Sequence, residues 1–348
     1  MFSKNLLTEI FRIRYPIIQA PMSPLTTPEL VANVSNAGGM GTIAAARMTG
    51  EQLTNEIHRV RLLTDKPFGV NLLTDCNIDI DSLPVNSPKD LFPEQIDVIL
   101  KERIAALSFT FGYLSNDIVN KCKQLGIRLI GTATTAKEAV FLKETGCDAV
   151  CLQGSEAGGH RGSFLTTDTE TIEQSTIGLQ SLLSQTTQFI DSTSYPLIAA
   201  GGIMDGAGLV NVLTSGASGV QMGTRFLTCH ESKKLVPESH RRLLLEAKND
   251  IHQLRPTVLT RAYTGKPARG IRTAITDLFH LNENQILPWQ YQAQLVLPLC
   301  KYAAESKQVD FMQLWAGQNY ARCEDQSAAE IIHQVIEEAH NILNASKT

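Results

Sequence analysis

The sequence predicts an α/β protein, a (β/α)8 TIM barrel with a helical insertion near the C-terminus, on three observations. Eight short apolar runs lie between residues 16 and 228, segments with helical periodicity separate them, and glycine groups punctuate the last two runs. Strands covered on both faces are continuously apolar rather than alternating, and eight of them joined by helices close into a barrel. An open doubly wound sheet would carry a dinucleotide fingerprint after its first strand. None follows Met22.

In order, the strands are Pro16–Met22, Met40–Ala45, Pro67–Leu73, Ala106–Gly112, Ile127–Ala133, Cys147–Gly154, Pro196–Gly202 and Ser218–Phe226. The helices between them are Pro28–Asn36, Glu51–Leu63, Pro93–Arg103, Asn116–Leu125, Ala136–Thr145, Ile177–Phe189 and Ala207–Leu213. Thr27-Pro28 supplies a cap followed by proline at the first helical position, and Gly38, Gly126 and Gly146 follow helix ends. The loops after the third and sixth strands, Thr74–Phe92 and Ser155–Ser175, are long, and long loops at a barrel's C-terminal rim are where binding and catalysis reside.

Beyond Thr228 the pattern is mostly helical, over Pro237–Lys248 and Asn284–Leu299, with Thr264-Gly265-Lys266-Pro267 as a turn. Ser327–Leu343 is amphipathic, with Ile331, Ile332, Val335, Ile336, Ala339 and Ile342 on one face. The chain therefore divides into a barrel over 1–228, a helical insertion covering the active site over 229–312, and a return segment with the closing helix over 313–348.

Composition narrows the function classes. Of 348 residues, 43% are hydrophobic and 19% charged, which excludes a largely disordered chain. The formal net charge of −4 argues against a nucleic-acid partner, whose binding rests on clustered Lys and Arg. Seven cysteines form no CxxC, so reduced thiols and a cytoplasmic location are expected, and no HExxH or HxH marks a zinc site. Glu9, Arg12 and Arg14 interrupt any leader-like apolar run, and no apolar stretch reaches the ~20 residues that span a bilayer. A small-molecule substrate is expected, without nucleic acid or membrane, and a homodimer is compatible with the sequence.

Two glycine groups and one histidine carry the chemistry. The seventh strand ends in Ala199-Ala200-Gly201-Gly202 and the eighth reads Gly219-Val220-Gln221-Met222-Gly223-Thr224. At these two strand ends backbone N–H groups hold phosphate in many barrels, and a side chain would block the approach. The motif leaves FMN and a phosphorylated substrate both open. The loop after the sixth strand, Gln153-Gly154-Ser155-Glu156-Ala157-Gly158-Gly159-His160-Arg161-Gly162, places a histidine at the rim, suited to proton transfer or to binding an anion. Glu156 and Arg161 are able to pair with each other, and neither is given a catalytic role. Asn71 and Gln153, at strand ends on the same rim, offer amides to a neutral heterocycle. Gly38-Gly39-Met40-Gly41 lies between a helix and a strand, the reverse of a dinucleotide loop, and Gly265-Lys266 is followed by Pro267 rather than Ser or Thr. His333 and His340 lie one heptad apart on the last helix, on its solvated flank.

These residues together resemble the nitronate monooxygenase family and, more distantly, the FMN-dependent enoyl-ACP reductases. The segments that carry the resemblance are Pro16–Met22, Gly69-Val70-Asn71-Leu72, Ser108-Phe109-Thr110-Phe111-Gly112, Gln153–Gly162, Ala199–Ile203, Gln221–Leu227, Leu259-Thr260-Arg261, Thr264–Gly270 and Leu314-Trp315-Ala316-Gly317-Gln318. The resemblance implies non-covalent FMN and oxidation of alkyl nitronates by O2 to a carbonyl compound and nitrite, with propionate 3-nitronate as a candidate substrate. It implies His160 as the catalytic residue, and FMN contacts from Ala20, Pro21, Met22, Asn71, Gln153, Gly158, Gly201, Gly202, Gln221, Met222, Gly223, Thr224, Gly317 and Gln318. Asn319 departs from the family pattern, which often has glycine there. Two other readings stand beside it: an NAD(P)H-dependent enoyl-thioester reductase with FMN, and a flavin-free barrel that binds a phosphorylated metabolite.

Overall fold

The computed structural model describes residues 5–74, 88–165, 176–249, 252, 254–289 and 291–345. Parts of both long rim loops, 75–87 and 166–175, lie outside the described residues. The strands of the main sheet are β1 (Ile17–Gln19), β2 (Thr42–Ala44), β3 (Gly69–Leu73), β4 (Ala106–Thr110), β5 (Arg128–Ala133) and β6 (Ala149–Gln153). After the short β7 (Gly159–His160), which stands outside that sheet, come β8 (Leu197–Ala200) and β9 (Gly219–Met222). All pairings in the main sheet are parallel, from β2 through β3, β4, β5, β6, β8 and β9 to β1. The last seam, β1 against β2, is closed by an Ile18–Met40 bridge, where Met40 N donates to Ile17 O and Gln19 N to Met40 O, each at 2.9 Å. The eight-stranded barrel is thus complete.

Local chemistry sets the helices between these strands. Thr27 accepts from Leu30 N ahead of Pro28–Asn36, and Ser115 and Thr135 accept in the same way ahead of Asn116–Gln124 and Ala136–Glu144. Each removes one unpaired N–H from a helix start. Helix Ala328–Ala345 packs against Gly206–Thr214 and Pro28–Asn36 and buries Ile331, Ile332, Val335, Ile336 and Ala339. The last helix of the chain therefore occupies the outer place between the eighth and first strands.

Two packed regions hold the barrel. The outer one joins strand residues such as Val70, Leu107, Val150 and Val220 to the apolar faces of the helices. The inner one is built of Ile18, Met40, Ala106, Ile130, Ala149, Cys151, Ile198 and Ala200, and helix Leu6–Phe11 adds Leu7 and Phe11 from below. Asn5 fixes that plug, accepting from Thr8 N at 2.9 Å and donating to Ser218 O at 2.8 Å. The floor of the barrel is thereby filled, and the C-terminal rim is the working end.

Segment 229–312 contains helices Glu238–Glu246, Ala274–His280 and Tyr291–Glu305, together with an antiparallel hairpin of β10 (Thr257–Thr260) and β11 (Ala268–Ile271). The helix expected over 284–299 begins at Tyr291 instead. Pro288 disfavours helical backbone at the residue before it, and Ile286 is extended. The hairpin does not stand alone: β11 pairs with β7, aligning Ala268 with His160 and Arg269 with Gly159, and Gly270 bridges to Trp315. One small sheet thus ties the sixth-strand loop, the insertion and the return segment together. A second core of Leu227, Val236, Leu244, Ile271, Met312, Leu314 and Ala316 fills the space beneath.

His240 is buried in this region, and its burial pushes the imidazole pKa down to about 4, against a hydrogen bond with the Trp315 backbone that raises it. Below pH ~6.5 the unfolded chain takes up a proton that the folded chain refuses until about pH 4. Stability is therefore full above pH ~6.5 and is expected to fall by roughly 1.4 kcal/mol per pH unit down to about 4 for this one group. Thermal melts from pH 7 to 4.5 check this: His240→Leu should make the decline shallower by that amount, and an unchanged slope would remove His240 as a contributor.

Among the described residues, no helix is long and apolar enough to cross a membrane, and no cluster of His, Cys, Asp or Glu is arranged to hold a metal ion.

Candidate active site

The site begins where β6 ends. The Gln153 side chain reaches across its own loop: Nε2 donates to His160 O at 2.8 Å, while Oε1 accepts from Gly162 N at 2.8 Å and Arg161 Nη1 at 3.2 Å. Arg161 is buried and also donates to Gly154 O at 2.7 Å, while its backbone N donates to Pro267 O at 2.8 Å. Arg269, from the hairpin, donates to Ser155 O at 2.6 Å and Thr257 Oγ1 at 3.0 Å. The loop is thus rigid at both ends and along one edge, and His160 is held at its far end.

The imidazole lies between three groups. His160 Nε2 and Thr264 Oγ1 are 2.8 Å apart, and the Phe111 and Trp315 rings stand edge-on at 6.0 and 5.5 Å between centroids. Burial, then Lys266, then Arg47 push its pKa down to about 4. The ordinary value near 6.5 therefore does not hold, and the ring is neutral across the physiological range.

Around the rest of the rim the backbone dominates. Gly201 and Gly202 adopt φ of +129° and +67°, conformations open to glycine at little cost. Ala20 N donates to Met222 O at 2.8 Å, which sets the end of β1 beside the end of β9. Thr224 opens the short helix Thr224–Leu227, and its Oγ1 accepts from Gly317 N at 2.9 Å. Gln318 N donates to Glu156 O at 3.0 Å. Asn319, the departure from the family pattern, donates from Nδ2 to Gly202 O at 2.6 Å and so pins the return segment to the glycine turn. The structure thus gathers Ala20, Pro21, Met22, Gly158, Gly201, Gly202, Gln221, Met222, Gly223, Thr224, Gly317 and Gln318 along one arc of the rim.

Two of the expected site residues, Asn71 and Gln153, are placed differently from the others. Asn71 stands on β3, two strands beyond β1, and its amide donates to Ser108 Oγ at 3.0 Å. The Gln153 amide is engaged within its own loop, and the Met222 side chain packs in the outer core, which leaves its backbone toward the rim. Glu156 serves a structural end: its carboxylate accepts from Leu179 N at 2.9 Å at the start of helix Leu179–Thr186, whose Gly178 cap has no side chain to do so.

Sequence reasoning missed Glu138 and gave no role to Thr264 or Arg269. Glu138 is wholly buried and accepts from Thr134 N, Thr134 Oγ1, Phe164 N and Leu165 N at 2.7, 2.8, 2.7 and 3.1 Å. Its only signal was Thr135-x-x-Glu138, which reads as a capping box. Thr135 does cap the helix, while the carboxylate turns to the rim loop instead. A cavity of about 590 Å³ opens at the other end of the barrel, beside Asn5, Glu9 and Ser218.

Comparison with known proteins agrees with this fold. The nitronate monooxygenase family model matches residues 4–338. A probable nitronate monooxygenase of Staphylococcus saprophyticus is 38% identical, covering 97% of this chain and 98% of its own. One from Staphylococcus haemolyticus is 37% identical over 99% of both chains. Among solved structures, the nitroalkane oxidase of Streptomyces ansochromogenes superposes with a TM-score of 0.86 at 31% identity, covering 98% of this chain and 99% of that one. FabK from Thermotoga maritima follows with 0.79 at 26% identity, over 99% and 98%. The chain belongs to the nitronate monooxygenase family, and it is a flavin-dependent oxidoreductase built on a (β/α)8 barrel.

Proposed function

We propose that this protein oxidises alkyl nitronates with O2 to a carbonyl compound and nitrite, using non-covalent FMN bound on the glycine rim. The observation that carries the reading is one rim that brings together the fastened His160 loop, the glycine turn Gly201-Gly202 and the return segment, through Gln318 N to Glu156 O at 3.0 Å and Asn319 Nδ2 to Gly202 O at 2.6 Å. A Cβ added to Gly223 would make only ordinary contacts, with Ala20 Cβ at 3.4 Å and Met22 Sδ at 3.8 Å, and would take up the room that glycine leaves beside the end of β1. Such a cradle fits a phosphate, met by backbone N–H groups at the ends of β8 and β9. Gly201, Gly202, Gly223 and Thr224 would hold it, Ala20–Met22 would border the ring system, and Gly317 and Gln318 would lie against it from the return segment. FMN supplies the electron acceptor when bound.

The chain's own residues do the rest. His160 Nε2 and the Thr264 hydroxyl share one hydrogen bond, and in the tautomer in which Thr264 donates, the ring proton would sit on Nδ1 as a donor for a nitronate oxygen. The neutral imidazole would hold that oxygen as a hydrogen-bond donor rather than as a countercharge. As a base it is weakened by its low pKa, so preformed nitronates are favoured over neutral nitroalkanes, whose α-proton must be removed. Segment 229–312, through the pairing of β11 with β7, fixes the loop that carries His160.

Nitrite release and O2 consumption with alkyl nitronates test the function. Rapid anaerobic bleaching of the flavin by NADH alone, with no nitrite from any nitronate, would favour the reductase instead. A colourless protein that FMN does not reconstitute would overturn the cofactor assignment. His160→Asn is expected to keep FMN and to lose about a hundredfold in kcat/KM on neutral nitroalkanes. Near-wild-type turnover on them would remove His160 from the mechanism.

A further inference from the structure

We propose that the protein pairs with a second copy of itself through helix Tyr291–Glu305, the two helices crossing antiparallel about a two-fold axis. Among the described residues, more than half of the exposed large apolar side chains lie between Leu254 and Phe311, so the exposure is concentrated on the insertion. A surface helix ordinarily buries one apolar stripe and turns polar residues outward. This helix buries Ala293, Val296, Cys300 and Ala303, and Val296 and Cys300 pack with Tyr263 and Ile275. Its apolar surface then continues round one flank. Tyr291, Leu295, Leu299 and Tyr302 follow one another on that flank and are 42, 65, 49 and 67% exposed. The only charges on the helix, Lys301 and Glu305, lie near its C-terminal end.

The order of these side chains identifies what covers them. Tyr-Leu-Leu-Tyr reads the same in both directions, and a two-fold interface is self-complementary, each residue meeting its counterpart from the other end. With the axis level with Leu297, Leu295 of one copy falls opposite Leu299 of the other. Tyr302 then falls within one residue of the position opposite Tyr291. The area agrees with a dimer. Helix Ala274–His280, whose Ile275 joins the same cluster, adds exposed Leu278, and exposed Leu281 follows it. At about 150 Å² for a large apolar side chain, the exposed parts of these six residues come to roughly 500 Å². A stable dimer buries about 800 Å² on each partner, a little over half of it apolar. The inner face of the helix carries the pairing toward the histidine. Gln292 Nε2 donates to Ala262 O at 2.7 Å and its Oε1 accepts from Leu287 N at 3.1 Å, while Ala262 and Tyr263 lead into Thr264, which meets His160 Nε2 at 2.8 Å. A partner that holds this helix steadies the turn beside the imidazole.

Sedimentation velocity of the full-length chain, from submicromolar to tens of micromolar, tests the proposal. The wild type is expected to sediment as a dimer. Leu295→Glu sets a carboxylate against an apolar side chain of the second copy and should weaken association roughly a hundredfold, with the Tm of the single chain unchanged because residue 295 is exposed there. Leu295→Glu combined with Leu299→Lys sets each new carboxylate opposite a new ammonium and should restore the dimer. A dimer that Leu295→Glu leaves intact would overturn the proposal, and a double variant that stays monomeric would overturn the antiparallel register. A monomeric wild type would overturn it as well, and flotation of that monomer with lipid vesicles would assign the flank to a membrane surface instead.

Discussion

Glu138→Ala is expected to lower the unfolding free energy by about 4 kcal/mol and the Tm on the order of 5 °C. The carboxylate is wholly buried and takes four hydrogen bonds, two from Thr134 and one each from the backbone of Phe164 and Leu165. Truncation takes the acceptor from the backbone N–H groups of Thr134, Phe164 and Leu165, while the Thr134 hydroxyl keeps Ser163 Oγ at 3.1 Å, and each orphaned buried donor costs about 1–3 kcal/mol before relaxation. The effect extends beyond stability. Phe164 and Leu165 follow the loop that carries His160, so releasing them loosens the loop's outgoing end. Thermal unfolding and nitrite release on the same samples check both parts. Glu138→Gln keeps one acceptor and should fall between the two, and a Tm within 1 °C of wild type for the alanine variant would refute the account.

Gly158→Ala should cut kcat/KM for nitronates by roughly a hundredfold while leaving the barrel folded. A Cβ at residue 158 would meet the carbonyl carbon of Ala316 and the nitrogen of Gly317, both at 2.6 Å. Those are backbone atoms, and the segment is fastened by Gly317 N to Thr224 Oγ1 and Gln318 N to Glu156 O. The methyl group has no flexible neighbour to displace, so the histidine loop and the return segment must separate. The next residue makes a control. Gly159 has φ of +76°, but a Cβ there meets nothing within 4 Å. Gly159→Ala therefore carries only the conformational cost of about 1 kcal/mol and should retain most activity. Bound FMN and nitrite release separate the two variants, and equal behaviour would show that close approach is not what residue 158 serves.

The barrel was legible because its strands are covered on both faces and so appear as uninterrupted apolar runs. The helix starts at Thr27, Ser115 and Thr135 were legible too, since capping is local chemistry. The hairpin of β10 and β11 was not. Thr257-Val258-Leu259-Thr260 is short and mostly half-buried, and its sheet depends on a two-residue partner, Gly159–His160, distant in sequence. The glycine groups and His160 were visible as candidates, yet the engagement of the Gln153 amide by its own loop depends on the path of the chain after it. Glu138 was hidden by a motif with a simpler meaning.

The pairing of β7 with β11 has a consequence for how the enzyme comes into being. The edge that positions His160 is supplied by residues 268 and 269, and Trp315 bridges to the same strand still later. Contacts between segments so far apart form late, because the intervening chain must first be ordered. A growing chain that has finished all eight barrel strands therefore has a scaffold but no set histidine. With the role proposed for His160, catalytic competence would arrive only with the final third of the molecule, and a cleavage in the hairpin turn should silence the enzyme while leaving the barrel standing.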